Sequence, residues 1–132
     1  MLDALRIAVI DDDQDLREAL CELLEASGLP CSSFPDGAAF LALPDCGIFG
    51  CILADLRMPA LGGMELQAAL AERGLRMPLI IMTSHISAHA KAQALMAGAI
   101  AVLSKPLSEH ELLPLIEGAL ARAGAASSGE SE

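Results

Sequence analysis

The chain contains no tryptophan, no tyrosine and only three phenylalanines among its 132 residues. It also has no apolar run near the roughly 20 residues that a membrane-spanning helix needs. The longest apolar stretch, Ala94–Leu103, is interrupted by Gly98. The first apolar segment, Ile7–Ile10, is short and leads into three aspartates, so we do not expect a signal peptide. These absences predict a soluble cytoplasmic protein.

Basic residues are scarce as well. The chain has 8 Lys and Arg against 18 Asp and Glu, which gives a formal net charge of −10. Contacts to nucleic-acid phosphates need basic patches, so we do not expect this chain to bind DNA by itself. The length fits one domain, and part of the negative charge is clustered in a way that points toward cations.

The four cysteines form no C-x-x-C pair. They stand at Cys21, Cys31, Cys46 and Cys51, and Cys21 and Cys51 fall within a helix pattern and a strand pattern. We therefore expect reduced, mostly packed thiols. The sequence also lacks G-x-x-x-x-G-K-[ST], which excludes a P-loop nucleotide site.

Strand and helix patterns alternate along the chain. The predicted strands are Arg6–Ile10, Leu29–Phe34, Phe49–Asp55, Leu79–Thr83 and Ile100–Ser104. The predicted helices are Gln14–Ser27, Gly37–Leu43, Gly63–Arg73, one that starts at His85 or Ser87 and ends at Ala97, and Glu109–Arg122. Five β-α units predict an α/β fold with a parallel sheet and helices on both faces.

The composition changes near the C-terminus. Residues 1–122 carry the alternating pattern and are predicted to form the folded domain. Residues 123–132 contain mainly Ala, Ser, Gly and Glu, so we expect a disordered tail or the start of a linker there.

Polar residues follow four of the predicted strands, at the point where each strand ends. They are Asp11–Asp13, Asp55, Thr83 and Lys105. In parallel sheets, ligands bind outside the carboxyl ends of the strands. Carboxylates, a hydroxyl and an ammonium that converge there suit one chemistry in particular. This is a carboxylate that accepts a phosphoryl group with the help of a divalent cation.

Five segments together resemble the receiver domain of two-component response regulators, over about residues 5 to 122. The segments are Val9-Ile10-Asp11-Asp12-Asp13, Asp55-Leu56-Arg57-Met58-Pro59, Thr83-Ser84, Ala97-Gly98-Ala99 and Lys105-Pro106. The second segment, and Thr-x-His after the fourth strand, are most similar to FixJ-type receivers, which usually precede a LuxR-type helix-turn-helix output domain. The resemblance implies a flavodoxin-like (CheY-like) fold, with a five-stranded parallel sheet of order 2-1-3-4-5.

The resemblance implies a role for each polar residue. Asp55 would be the phosphoacceptor for a sensor histidine kinase, in a reaction that depends on Mg²⁺. Asp12, Asp55 and the backbone carbonyl of Arg57 would ligate the ion directly, and Asp11 would act through water.

Two further residues would bind the phosphoryl oxygens. Thr83 would donate its hydroxyl, and Lys105 would supply a positive charge. In this family the peptide bond between this lysine and the following proline is often cis.

The resemblance also implies partners. Phosphorylation would change the surface formed by the fourth helix, fifth strand and fifth helix. That surface would control an output domain or partner protein, with homodimerisation as one route and transcription regulation as the outcome. The alternative is a receiver-like interaction module that is never phosphorylated. A phosphate hydrolase acting on outside substrates is disfavoured, because Arg57 stands where such enzymes carry a second aspartate.

Two positions depart from the family pattern, and other residues have predicted structural roles. Val102 replaces a frequent aromatic residue, and Gly62 replaces a frequent aspartate, which predicts a looser turn before Gly63. Asp13 is expected to cap the first helix. The expected core fillers are Met58, Met64, Met77, Met82 and Met96.

Overall fold

The computed structural model describes residues 6–58, 61–85 and 87–130. Its strands are β1 Arg6–Ile10, β2 Cys31–Phe34, β3 Phe49–Asp55, β4 Leu79–Thr83 and β5 Ala101–Ser104. Its helices are α1 Gln14–Ala26, α2 Gly37–Leu41, α3 Gly63–Glu72, α4 Ala88–Met96 and α5 Glu109–Glu130, and a 3-10 turn spans Cys46–Ile48. Pro59 of the predicted motif and residues 131–132 of the predicted tail lie outside the described residues.

The five strands form one parallel sheet in the order β2-β1-β3-β4-β5. This order confirms the predicted fold class. The bounds of β1, β3 and β4 agree with the sequence prediction, because these strands are apolar along almost their whole length and the sheet is covered on both faces.

Helices cover the sheet on both sides, and a hydrophobic core lies under each layer. Side chains of α1 and α5 pack on one face, and side chains of α2, α3 and α4 pack on the other. Alternate residues of a strand point to opposite faces, so Val9 and Leu53 belong to the first core while Ala8 and Ile52 belong to the second. All four of these residues are fully buried.

Side chains cap the N-termini of three helices. The carboxylate of Asp13 accepts from the backbone N–H groups of Asp15 and Leu16 at the start of α1. Asp36 caps α2 and Ser87 caps α4 in the same manner. The predicted capping role of Asp13 is therefore confirmed, and Ser87 is the residue that opens the fourth helix.

The last helix is longer than the sequence predicts. The sequence pattern places its end at Arg122, but α5 continues to Glu130. Alanines at positions 123, 125 and 126 favour helix strongly enough to carry it past the glycine at 124. The domain boundary at residue 122 stays a prediction. Within the described ranges, no helix has both the length and the apolar character needed to cross a membrane.

The prediction of reduced thiols is wrong for two of the cysteines. Cys21 of α1 and Cys31 of β2 form a disulfide, with their Cα atoms 5.5 Å apart. Cys46 and Cys51 are free and buried, as expected. The sequence spacing could not reveal the pair, because it arises only when α1 packs beside β2 on the sheet.

The prediction of core positions for the methionines is wrong for Met96. Met82 is fully buried, and Met58, Met64 and Met77 pack against the second core. Met96 is 88% exposed at the end of α4. Ala94, two residues earlier, is the residue of α4 that is buried against the sheet, so Met96 lies outside the core-facing side of the helix.

Candidate functional site

The strand register brings the predicted polar residues to one edge of the sheet. Ile10 pairs with Ala54, so Asp11 emerges beside Asp55. Asp55 in turn pairs with Met82, the residue before Thr83. Thr83 pairs with Ser104, the residue before Lys105. The carboxyl ends of four neighbouring strands therefore form a common edge, as the sequence predicts.

Three aspartates form a compact acidic group at this edge. One carboxylate oxygen from each of Asp11, Asp12 and Asp55 lies within 4.8 Å of the others. Asp11 is fully buried, Asp55 is 9% exposed, and Asp12 is exposed. The group is therefore open to solvent on the Asp12 side and closed beneath by the sheet.

Lys105 supplies the positive charge that faces this acidic group. Its Nζ atom donates to Oδ2 of Asp11 at 2.6 Å and lies 3.5 Å from Oδ2 of Asp55. The backbone N–H of Lys105 donates to the carbonyl of Thr83, which fixes the start of the loop beside β4. The peptide bond between Lys105 and Pro106 is cis, as the family resemblance implies.

Hydrogen bonds hold both the side chain and the backbone of Asp11. Its Oδ1 atom accepts from the backbone N–H of Asp13 at 2.8 Å, and its carbonyl accepts from the guanidinium of Arg17 at 2.8 Å. Its own N–H donates to the carbonyl of Phe34. The sequence does not single out Arg17, because an arginine in the first turns of an amphipathic helix gives no signal that it folds back onto the preceding loop.

The hydroxyl of Thr83 is already engaged. It donates to the carbonyl of His85 at 3.1 Å and accepts from the backbone N–H of the same residue at 3.2 Å. Thr83 is 5% exposed. The side chain therefore stabilises the turn after β4, and it must leave that turn before it can contact a group bound at Asp55.

Burial and neighbouring charges shift the pKa of two groups. Burial, followed by the negative charges of Asp11 and Asp12, raises the pKa of Asp55 above its ordinary value, although Lys105 opposes the shift. Burial alone would lower the pKa of Lys105, but its hydrogen bond to Asp11 and the two facing carboxylates raise it instead. A cation added beside Asp55 would relieve the repulsion within the acidic group.

The turn at Gly62 is tighter than the sequence predicts. A Cβ atom at this position would collide with the carbonyl oxygen of Leu56 and lie 3.0 Å from Oε1 of Glu65. The same carbonyl accepts from the N–H of Gly63 at 3.2 Å, so the start of α3 packs closely on the end of β3. The two glycines therefore allow the start of α3 to pack tightly against the residue that follows Asp55.

The donor set fits Mg²⁺. Mg²⁺ prefers oxygen ligands, and protein sites usually supply one or two carboxylates while waters complete the shell. Both carboxylate oxygens of Asp11 are occupied by Lys105 and the N–H of Asp13. Asp12 and Asp55 are less constrained, and direct ligation by these two with an indirect role for Asp11 stays a prediction.

The remaining predicted residues surround this edge. Arg57 follows β3 and is exposed. Val102, in the middle of β5, is half-buried against the second core. His85 and His89 are both exposed.

Comparison with known proteins identifies the family. Residues 7–117 match the model of the response regulator receiver domain. The chain belongs to this family of signalling domains, and the resemblance seen in the sequence is confirmed.

Two of the relatives that the chain resembles are FixJ proteins. The chain is 38% identical to the transcriptional regulatory protein FixJ of Azorhizobium caulinodans over 125 residues, which cover 92% of this chain and 58% of that protein. It is also 38% identical to FixJ of Bradyrhizobium diazoefficiens over 126 residues, covering 95% of this chain and 61% of that protein. The chain therefore spans about three fifths of the length of these relatives.

A solved structure gives the same result. The crystal structure of FixJ-N superimposes with a TM-score of 0.76 at 30% identity, covering 93% of this chain and 94% of that chain. These comparisons confirm the similarity to FixJ-type receivers that the sequence motifs indicate.

Proposed function

We propose that this chain is a phosphoacceptor domain that takes a phosphoryl group onto Asp55 from a sensor histidine kinase in the cytoplasm. The proposal depends chiefly on the acidic group, in which one carboxylate oxygen from each of Asp11, Asp12 and Asp55 lies within 4.8 Å of the others. Lys105 forms ion pairs with Asp11 and Asp55. Family membership supports it, since the site lies at the strand ends that the receiver motifs mark.

Asp55 is the proposed nucleophile. One of its carboxylate oxygens forms a bond to phosphorus, giving an acyl phosphate. The bond from phosphorus to the imidazole nitrogen of the donor phosphohistidine breaks, and the imidazole keeps the electron pair and takes up a proton. A small acyl phosphate can replace the protein donor. The Asp55 side chain retains 13% exposure, which leaves a path for the donor to approach.

Positioning and charge neutralisation provide the catalysis. Bound at Asp12, Asp55 and the backbone carbonyl of Arg57, Mg²⁺ would neutralise negative charge on the carboxylates and the incoming phosphoryl group. Lys105 turns from Asp11 toward a phosphoryl oxygen, a movement favoured because its Nζ atom already lies 3.5 Å from Asp55. No second carboxylate stands at position 57, so the domain acts on its own aspartate rather than on outside substrates.

Thr83 is the proposed link between the site and the surface. Once it donates to a phosphoryl oxygen, its hydrogen bonds with His85 are broken and the turn that leads to α4 moves. The phosphorylated state thereby favours another arrangement of the α4-β5-α5 surface. Val102 is aliphatic, so the switch depends on the Thr83 turn and α4 rather than on an aromatic rotamer.

The α4-β5-α5 surface is also the proposed interface with an output domain, a partner protein or a second copy of the chain. Two large apolar side chains of α4 are exposed there, Leu95 at 41% and Met96 at 88%. Large exposed apolar side chains are frequent at protein interfaces. The similarity to FixJ, a transcriptional regulatory protein, favours transcription regulation as the output.

The experiment that tests this function is intact-mass spectrometry after incubation with acetyl phosphate, with and without Mg²⁺. The wild type is expected to gain one phosphoryl group in the presence of Mg²⁺. The Asp55→Asn variant is expected to gain none. Asp13→Asn is the matched control, since Asp13 caps α1 and asparagine caps a helix equally well.

Two outcomes contradict the proposal. Equal labelling of wild type and Asp55→Asn would place the phosphoryl group elsewhere. No labelling by acetyl phosphate or by any phosphohistidine donor would favour the alternative, a receiver-like interaction module that is never phosphorylated.

A further inference from the structure

We propose that Cys21 and Cys31 form a reversible thiol modification site, which closes and opens by exchange with low-molecular-weight disulfides and tethers α1 to β2. The two residues lie on different elements, with their Cα atoms 5.5 Å apart and their sulfur atoms bonded. This Cα separation is within the range that protein disulfides usually adopt. The pair plays no part in the phosphoacceptor site, so the inference stands apart from the proposed function.

Exposure separates Cys21 from the other three cysteines. Cys21 is half-buried at the margin of the first core, whereas Cys31 is only 6% exposed. Cys46 is 5% exposed and Cys51 is fully buried. Burial raises the pKa of the Cys46 thiol, and it raises the pKa of Cys51 to about 12, so both favour the unreactive thiol form.

The exchange has two steps, and the order follows from exposure. The thiolate of Cys21 attacks a disulfide such as glutathione disulfide, forming a mixed disulfide and releasing one glutathione thiolate. The thiolate of Cys31 then attacks the sulfur of Cys21 and releases the second glutathione. The protein dithiol is oxidised to a disulfide, one glutathione disulfide is reduced to two glutathiones, and the two thiol protons pass to the released thiolates. Excess glutathione reverses both steps.

The tether joins two elements at the edge of the sheet remote from the acidic group. Cys31 pairs with Ile7 at the start of β1, whereas Asp11 follows Ile10 at its end. The bond also closes a short loop, since the two cysteines are 10 positions apart. Closure restricts the unfolded chain while the folded site stays in place. We therefore expect oxidation to raise Tm by about 10 °C and to leave acetyl phosphate labelling unchanged.

The test is equilibration of the folded protein with defined ratios of reduced and oxidised glutathione, followed by alkylation of free thiols in denaturant and mass spectrometry. In the wild type, oxidation is expected to protect two thiols, mapped by peptide analysis to Cys21 and Cys31, and reduction to restore them. Cys46→Ser is the matched control, because it removes a buried thiol outside the pair and should keep the protection.

Single variants test the order of the steps. Cys31→Ser should accumulate one glutathionyl group on Cys21, since the resolving thiol is absent. Cys21→Ser should accumulate little, since Cys31 is nearly inaccessible in the folded chain. Protection that maps to another pair would overturn the proposal, and so would four free thiols under oxidising conditions. If the oxidised wild type had the same Tm as the reduced form, the proposal that the disulfide tethers α1 to β2 would be wrong.

Discussion

The ammonium of Lys105 forms a short ion pair with Asp11, at 2.6 Å, and a longer one with Asp55, at 3.5 Å. Asp11 is fully buried and Lys105 is 17% exposed at its side chain, so the pair is largely withdrawn from water. In this state the lysine neutralises part of the charge that a divalent cation would otherwise neutralise. Lysine and cation therefore compete for the same acidic group.

This competition gives the first prediction. Lys105→Ala leaves the Asp11 carboxylate buried without its charged partner, so we expect the free energy of unfolding without divalent cations to fall by about 2–3 kcal/mol. Mg²⁺ should recover more stability in this variant than in the wild type, because the competing charge is gone. Thermal unfolding across a Mg²⁺ titration measures both effects.

Asp12→Asn is the control for this titration. Asp12 is exposed, so its replacement should leave the unfolding temperature without Mg²⁺ nearly unchanged and weaken the response to Mg²⁺. If Lys105→Ala and the wild type gain the same stability from Mg²⁺, the lysine does not compete with the ion.

The second prediction concerns the raised pKa of Asp55. A carboxyl whose pKa is higher in the folded state than in the unfolded state binds more protons when folded, so stability falls as pH rises through the interval between the two pKa values. Above that interval the penalty is fully present. Asp55→Asn removes it, so we expect this variant to unfold a few degrees above the wild type at pH 7 in the absence of divalent cations.

Unfolding temperatures measured from pH 3 to pH 8 check this prediction. The advantage of Asp55→Asn should disappear below the ordinary pKa of an aspartate, where the wild-type carboxyl is protonated in both states. Asp45→Asn, an exposed aspartate, controls for the loss of one negative charge. An Asp55→Asn variant less stable than the wild type at pH 7 would mean that the contact with Lys105 outweighs burial.

The sequence predicts the convergence of the polar residues because they lie at the ends of neighbouring strands. The bounds of β3 and β4 follow from apolar runs buried on both faces, and the register then places Asp55 and Thr83 on neighbouring strand ends. The less apolar β2 is shorter than predicted and begins at Cys31 rather than Leu29. Because β2 is short and contains two serines, its strand pattern in the sequence is weak.

Features that depend on how neighbouring elements pack against each other could not be predicted. The bond between Cys21 and Cys31 forms because α1 folds back beside β2, and nothing in the spacing indicates it. The contact of Arg17 with the Asp11 carbonyl arises in the same way. The sequence predicts a loose turn at Gly62, but the obstruction comes from the carbonyl of Leu56, whose position only the fold determines.

The third prediction follows from that obstruction. Gly62→Ala should lower the free energy of unfolding by about 1–3 kcal/mol, because a backbone atom has to move to accept the new methyl group. Gly118→Ala is the matched control: a Cβ there meets nothing within 4 Å, and alanine should stabilise the interior of α5 by about 0.5–1 kcal/mol. Chemical denaturation measures both, and equal stability of Gly62→Ala and the wild type would show that the turn is as loose as the sequence suggests.

The fourth prediction concerns the route from the site to the surface. Thr83→Ala should still accept a phosphoryl group but lose the change at α4, because the hydroxyl that links the turn to the site is absent. Thr83→Ser should restore the change. Val102→Ala should retain it, since the switch does not depend on a large side chain at that position.

Hydrogen exchange of residues 87–104, with and without acetyl phosphate and Mg²⁺, measures this change. A Val102→Ala variant that loses the response while Thr83→Ala keeps it would reverse the proposed route.

Among the clustered aspartates, Asp55 is the residue that we propose to carry the phosphoryl group. The most direct measurement is reduction of the acetyl phosphate-treated protein with borohydride, which converts a phosphorylated aspartate to homoserine, followed by peptide sequencing by mass spectrometry. We expect homoserine at position 55 alone, with Asp11, Asp12 and Asp13 unchanged. Homoserine at any of those three positions, with Asp55 intact, would contradict it.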